Sequence, residues 1–360
     1  MNTLIPTPDA IPVAWGYFQV LLMLVFPLHL MLMNAMLGST AIAVYALFRK
    51  DETLRGLAYE LGKVIPFLIA FAVNLGVAAL LFLQVLYGHL FYSSSVLMGV
   101  YWLAVVPLLI IAYYAVYLFD FRFPFLAKPV AAALICLPLI IFLSIAFIYS
   151  NNMTLMLNPG AWQAWFGNPG GTLLNLGDRA LIPRYLHFII GGTAVGGLFV
   201  ALMGRVRKRM DAEVRSRAER IGMKVFTVLT GAQIVVGFLF LASLPRPILL
   251  QFMGGDMLAT ALLTLGLVTA LILLMAGMAS KVWLCAGLAV PQIFIMSFMR
   301  DLVRDGYLEP HFAPASLVVV PQYSPMFMFL IALVAGLATI VWMLRKAVAS
   351  FGVSKLPKQT

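Results

Sequence analysis

Residues 64–90 read VIPFLIAFAVNLGVAALLFLQVLYGHL, without one Asp, Glu, Lys or Arg. About 20 apolar residues, rising ~1.5 Å each as an α-helix, span the hydrocarbon of a bilayer. This run has no polar face to offer water, so it reads as a membrane crossing. Eight more runs of the same kind lie at about 16–48, 97–119, 129–150, 183–204, 221–243, 256–278, 281–300 and 324–345. They predict an all-α polytopic bundle of about nine transmembrane helices. Nothing remains for a soluble domain, so 1–360 is expected to form a single transmembrane domain.

Composition agrees, since 63% of the residues are hydrophobic and only 10% are charged. A water-soluble domain would have no surface to show. The net charge of +11 does not point to nucleic acid, because the basic residues are strung along short connections instead of forming one basic domain. Cys136 and Cys285 each lie inside an apolar run with no CxxC or CxxCH companion. Disulfides, structural zinc and covalently attached c-type haem therefore have no support, and both cysteines read as packing residues. Met1 to Pro12 carries no basic region and the first run is too long for a cleaved signal, so that run is expected to be a mature helix.

Cytoplasmic loops retain Lys and Arg. The connections after the first, third, fifth and seventh runs, with the C-terminal tail, carry nineteen of the 24 basic residues, Arg49, Lys50, Arg205, Arg207, Lys208, Arg209, Arg215, Arg345 and Lys346 among them. Arg179, Arg184, Arg246, Arg300 and Arg304 make up the other side. This split predicts an outside N-terminus and a cytoplasmic C-terminus. Pro27, Pro66, Pro107 and Pro138 fall inside runs, where kinks are expected. The longest outer connection, 151–183, holds Trp162 and Trp165 and reads as a short interfacial helix followed by a turn. No internal repeat of comparable halves is evident, which argues against an inverted-repeat transporter.

Ionisable groups within spans are costly and point to function by default. They are His29, His89, His187, Asp256, Arg300, Asp301 and Arg304. No HExxH, P-loop or GxSxG arrangement exists among them. His187 stands in Arg184-Tyr185-Leu186-His187-Phe188-Ile189-Ile190-Gly191-Gly192. An imidazole followed one turn later by paired glycines suits haem, which needs a ligand nitrogen and a bare patch beside it. The alternative is a hydrogen-bonded interfacial histidine with small residues for helix packing. Met257 lies at a comparable depth and a thioether pairs with imidazole as an axial set, although in a chain with 20 methionines gap-filling core is the better reading of this residue by itself. His29 lies deeper and needs some partner. His89 sits ~10 Å away in depth, counted by helical rise, which argues against the two opposing each other on one haem. Arg300, Asp301 and Arg304 read either as a solvated helix end with an ion pair or as an arginine holding propionates or a quinol headgroup, with Asp301 as proton acceptor.

With these residues in view the chain resembles subunit I of the cytochrome bd oxidase superfamily over most of its length. Phe26-Pro27-Leu28 stands where that family has Val-Pro-Leu. Asn74-Leu75-Gly76-Val77-Ala78, then Gly88 and Tyr92-Ser93-Ser94-Ser95, is similar to its LGVA…FGTNW segment. Asn158-Pro159 and Leu186-His187 with Gly191-Gly192 resemble its asparagine-proline, valine-histidine and small-glycine string. The resemblance implies nine helices in this orientation in a bacterial cytoplasmic membrane, His187 as an axial ligand of a low-spin b haem, Met257 near the second ligand, and quinol oxidised at the outer face.

The departures fall where that family reduces oxygen. Its first-helix histidine precedes the proline by five residues, where this chain has Leu22, while His29 lies two turns deeper on the same face. No acid occurs between Glu60 and Asp120, so the family's third-helix glutamates are missing. Its GRQPW segment is absent as well, and Asp301 and Arg304 keep only the acid-to-arginine spacing, two residues out of register from Pro291. The quinol loop shrinks to about Ser243–Asp256. The expected function is a b-haem membrane electron-transfer subunit, working between a quinol or outer-face cytochrome c and a second subunit. His187 and Met257 are expected to hold one haem, His29 a second, with Arg304 and Asp301 setting the local charge. A divergent terminal oxidase and a haem-free transporter or scaffold are the alternatives.

Overall fold

A computed structural model describes residues 4–353, with side chains through residue 349. Both chain ends, whose sidedness the charge pattern predicts, lie outside the described residues. The expected runs are helical: α1 (Trp15–Leu47), α3 (Ile65–Leu97), α4 (Gly99–Arg122), α5 (Lys128–Leu157), α6 (Leu181–Val206), α7 (Ala212–Ser243), α9 (Met257–Met278), α10 (Val282–Leu308) and α11 (Tyr323–Val353). Among the described residues nine segments are long and apolar enough to cross a membrane. Two shorter helices, α2 (Glu52–Gly62) and α8 (Arg246–Leu250), complete the set.

The helix α2 is unpredicted. Leu54, Leu57, Ala58 and Leu61 are buried on one face, the spacing of an amphipathic helix, and the Asp51 side chain caps its start by accepting from Leu54 N at 3.2 Å. It is too short to register as a crossing. Its acids tie the basic connections together on one side of the bundle. Asp51 pairs with Arg217 at 3.0 Å, Glu60 with Lys63 at 2.6 Å and Arg207 at 3.4 Å, and Glu52 with Lys128 at 3.3 Å.

Helix α1 is central, packing against α2, α3, α5, α6 and α10. Its middle, Asn34 to Thr40, is buried throughout, and small residues there let neighbouring backbones approach. A Cβ on Gly38 would fall 2.5 Å from Gly196 Cα, and one on Gly196 only 2.6 Å from Asn34 O and 2.8 Å from Gly38 N. On its other side α6 meets α7 through Gly197 and Gly222, where a Cβ on Gly222 would lie 2.5 Å from Gly197 O. Lipid tails give no hydrophobic drive between helices, so such backbone proximity supplies the packing. Gly196→Val is therefore expected to destabilise the bundle by about 3 kcal/mol or more. Gly287→Ala, with nothing within 4 Å of the new methyl, should be neutral. Thermal unfolding of the two purified variants in detergent checks this, and equal stabilities would refute the α1–α6 contact.

Three sequence expectations are revised. Pro66 lies in the first turn of α3 rather than inside it. The non-helical residue of that helix is Tyr87 (φ −130°, ψ 24°), far from any proline, and its ring is held by α10. The 151–183 connection does contain a short helix, Pro159–Gly167, but Trp162 is 4% exposed and its Nε1 donates to Leu155 O at 2.8 Å. It anchors the loop to the bundle. Finally, α10 runs two turns beyond residue 300. Beyond it Ile11 pairs in parallel with Val319 through Ile11 N to Val318 O (2.8 Å) and Val320 N to Ile11 O (2.9 Å). This bridge leads into α11, whose described side chains are almost all exposed and which meets α3 through Phe329 on Phe82, 6.5 Å between centroids.

Candidate functional site

Near the N-terminal end of α6, Arg184 and His187 lie three residues apart on one helical face. They meet the face of α7 formed by Gln233, Gly237 and Phe240. The imidazole lies 5.9 Å from the Phe240 ring, and the Arg184 guanidinium sits 5.4 Å over the same ring. Gly237 makes the space: a Cβ there would stand 3.3 Å from His187 Cε1. Gln233 Nε2 donates to the backbone oxygen of His187 at 2.9 Å, and Gly191 accommodates that amide, which a Cβ would approach to 2.8 Å. Among the described residues neither ring nitrogen of His187 finds a hydrogen-bond partner, and its Nδ1 is buried. A buried, unsatisfied nitrogen costs free energy unless something absent from the protein itself meets it.

His29 on α1 is held differently. Its Nδ1 lies 2.8 Å from Ala72 O, so that nitrogen carries the proton and Nε2 presents a lone pair, as in histidines that ligate metals. Gly76 clears the ring, since a Cβ there would lie 2.8 Å from His29 Cε1. Helix α10 connects the two histidines. The Arg300 guanidinium sits 4.5 Å over Phe26, and Phe26 lies 6.4 Å from His29. Its Nη2 also reaches Met153 Sδ at 3.8 Å. Arg300 interacts electrostatically with both Arg184 and Arg304.

Arg304 is 1% exposed. It pairs with Asp301, lies 3.9 Å from Asp305, and stacks 4.2 Å over the Tyr87 ring at the break in α3. Tyr87 OH donates to Asp305 at 3.3 Å, and Gln19 Nε2 from α1 donates to Asp301 at 2.5 Å. The solvated helix end allowed by the sequence is thus a buried network joining α1, α3 and α10. Asp301 and Asp305 both serve Arg304, and neither Arg184 nor Arg300 forms an ion pair among the described residues. Asp178 acts electrostatically on Arg184, whereas no carboxylate acts on Arg300, the one guanidinium of the three that calls for a further anion.

Other expected residues take different places. Met257 is 88% exposed at the start of α9, and among the described residues its side chain makes no contact with His187. The reason is positional: it is the first residue of α9, where no neighbouring helix covers it. Asp256 caps α9, accepting from Ala259 N at 2.7 Å, which is a structural task. His89 packs edge-on against Phe312, 4.5 Å between centroids. Cys285 is fully buried and Cys136 partly so, both as free thiols. Among the described residues no three His, Cys, Asp or Glu side chains gather into a metal site. Arg184 escaped the sequence reading as a site residue. Its signal was the three-residue spacing to His187.

No protein-family model and no curated protein sequence matches the chain. A solved structure does: the chain is similar in fold to the bd oxidase from Geobacillus thermodenitrificans, with 13% sequence identity and a TM-score of 0.67 over 96% of this chain and 100% of the matched one.

Proposed function

We propose that the chain is an integral membrane electron-transfer subunit that holds b-type haem beside α6 and α10. The observation that carries this reading is the unsatisfied His187 imidazole beside Arg184, with Arg300 in electrostatic range of Arg184 and neither guanidinium in an ion pair among the described residues. These residues fit the group: an imidazole nitrogen for the iron, its ring seated against Gly237, and cations for two propionates. When bound, haem supplies a one-electron couple. His187 holds the iron from α6. Arg184 and Arg300 orient the propionates and, by their charge, favour the reduced state. Arg304 with Asp301 and Asp305 fixes the end of α10, so that Arg300 faces the interior from a rigid helix. Met257 stays outside the ligand set because of its exposure. His29, with Nδ1 tied to Ala72 O, is the nitrogen available for a second, deeper haem.

The resemblance of sequence segments to bd oxidase subunit I supports a place in a bacterial cytoplasmic membrane, with His187 at the outer face. The electron donor is a quinol or a c-type cytochrome, and a second subunit takes the electron onward. A terminal oxidase reading has less support, because no Asp or Glu lies between Glu60 and Asp120. All of α3, and α4 before Asp120, thus carry no carboxylate to deliver protons. Absorption spectra of the purified chain test the assignment. The expected result is a b-type spectrum that carbon monoxide leaves unchanged. A carbon monoxide-sensitive band would instead establish an oxygen-reducing site, and colourless protein would end the haem reading.

A further inference from the structure

A cavity lies on the opposite, basic side of the bundle, far along α6 and α7 from His187. It is about 730 Å³ and runs between the first turns of α7 and the last turn of α9. Arg215, Arg220 and Lys224 line it, with Met223, Val228 and Met278 as its apolar wall. The one acid in its lining, Glu219, is already engaged by Arg205, whose Nε and Nη2 donate at 2.8 and 2.5 Å. Arg215 Nε is held by Gly204 O at 3.1 Å. Arg220 and Lys224, one turn apart on the same face of α7, form no ion pair or hydrogen bond among the described residues. The hydroxyls of Ser216 and Ser280, also in the lining, likewise have no partner there.

Depth decides what this cavity meets. From Val225 to Ser243 helix α7 has no charged residue, a stretch that at ~1.5 Å per residue matches the hydrocarbon thickness of ~30 Å. Lys224 therefore stands at the hydrocarbon boundary, where lipid phosphates lie, and Arg220 one turn further out. Cations at that level above an apolar wall match a phosphodiester with acyl chains below it.

We infer that this cavity binds the phosphate headgroup of an anionic phospholipid, held by Arg220 and Lys224 with its chains along Met223, Val228 and Met278. The site is independent of the haem reading. It is tested by native mass spectrometry of the full chain, delipidated in detergent and offered phosphatidylglycerol, phosphatidylcholine or inorganic phosphate. Phosphatidylglycerol should be retained selectively. Arg220→Gln and Lys224→Gln should each weaken retention about fivefold and the pair about thirtyfold, while Lys224→Arg preserves it. Lys128→Gln removes the same charge from the same side outside the cavity and should change nothing. Equal retention of phosphatidylcholine, wild-type binding by the double variant, or an equal loss in Lys128→Gln would overturn the site. Displacement of the lipid by millimolar phosphate would overturn the lipid as its occupant.

Discussion

His187→Ala is expected to lose bound haem by more than tenfold, measured as pyridine haemochrome per mole of folded protein. The imidazole is the one side chain at that site with a nitrogen lone pair for iron: the Arg184 guanidinium is cationic, the Gln233 amide nitrogen is a donor to His187 O, and Gly237 and Phe240 offer no ligand atom. Folding should survive the change, because the His187 ring makes no hydrogen bond that the bundle would lose; the bond from Gln233 goes to the backbone oxygen and remains. Met257→Leu, by contrast, should keep its haem, since an 88% exposed side chain contributes no contact there. Arg184→Gln should retain haem and raise the energy of its reduced state, lowering the midpoint potential, because one cation beside the propionates is gone. Full haem content in folded His187→Ala would refute the proposed centre.

Arg304→Ala is expected to destabilise the bundle by roughly 3–5 kcal/mol, the range for breaking one partner out of a buried pair. The guanidinium is fully enclosed, and its loss leaves Asp301, 8% exposed, with only the Gln19 amide. It also removes the cation from the Tyr87 ring, at the one non-helical residue of α3, so α3 and α10 should loosen together. The double change Arg304→Met with Asp301→Leu removes both charges and should recover much of the loss. Thermal unfolding of the three proteins in the same detergent measures this. A single variant as stable as wild type, or a double variant no better than the single, would show that the network is not a buried pair.

The membrane helices were legible because a crossing is a local property: about 20 apolar residues declare themselves without reference to any neighbour. The ends were less so. The run at 281–300 stops where charge begins, but α10 continues because Arg304 meets Asp301 and Asp305 on its own helix and Tyr87 on α3. A sequence window counts those charges as exposed, and folding neutralises them. For the same reason α2 was missed. Its apolar residues are spaced for one face of a helix and never form a run.

Sequence alone thus determined an all-α membrane bundle with nine crossings, the one-sided placement of its basic connections, and the short set of ionisable residues inside it, because each follows from transfer free energies along the chain. Only the tertiary structure decided which of those residues meet. It set His187 against Gly237 and Phe240, brought Arg184 into range of Arg300, enclosed Arg304, and left Met257 outside. Those outcomes depend on helix rotation and on backbone approaches such as Gly38 to Gly196, which are fixed by packing between helices distant in sequence.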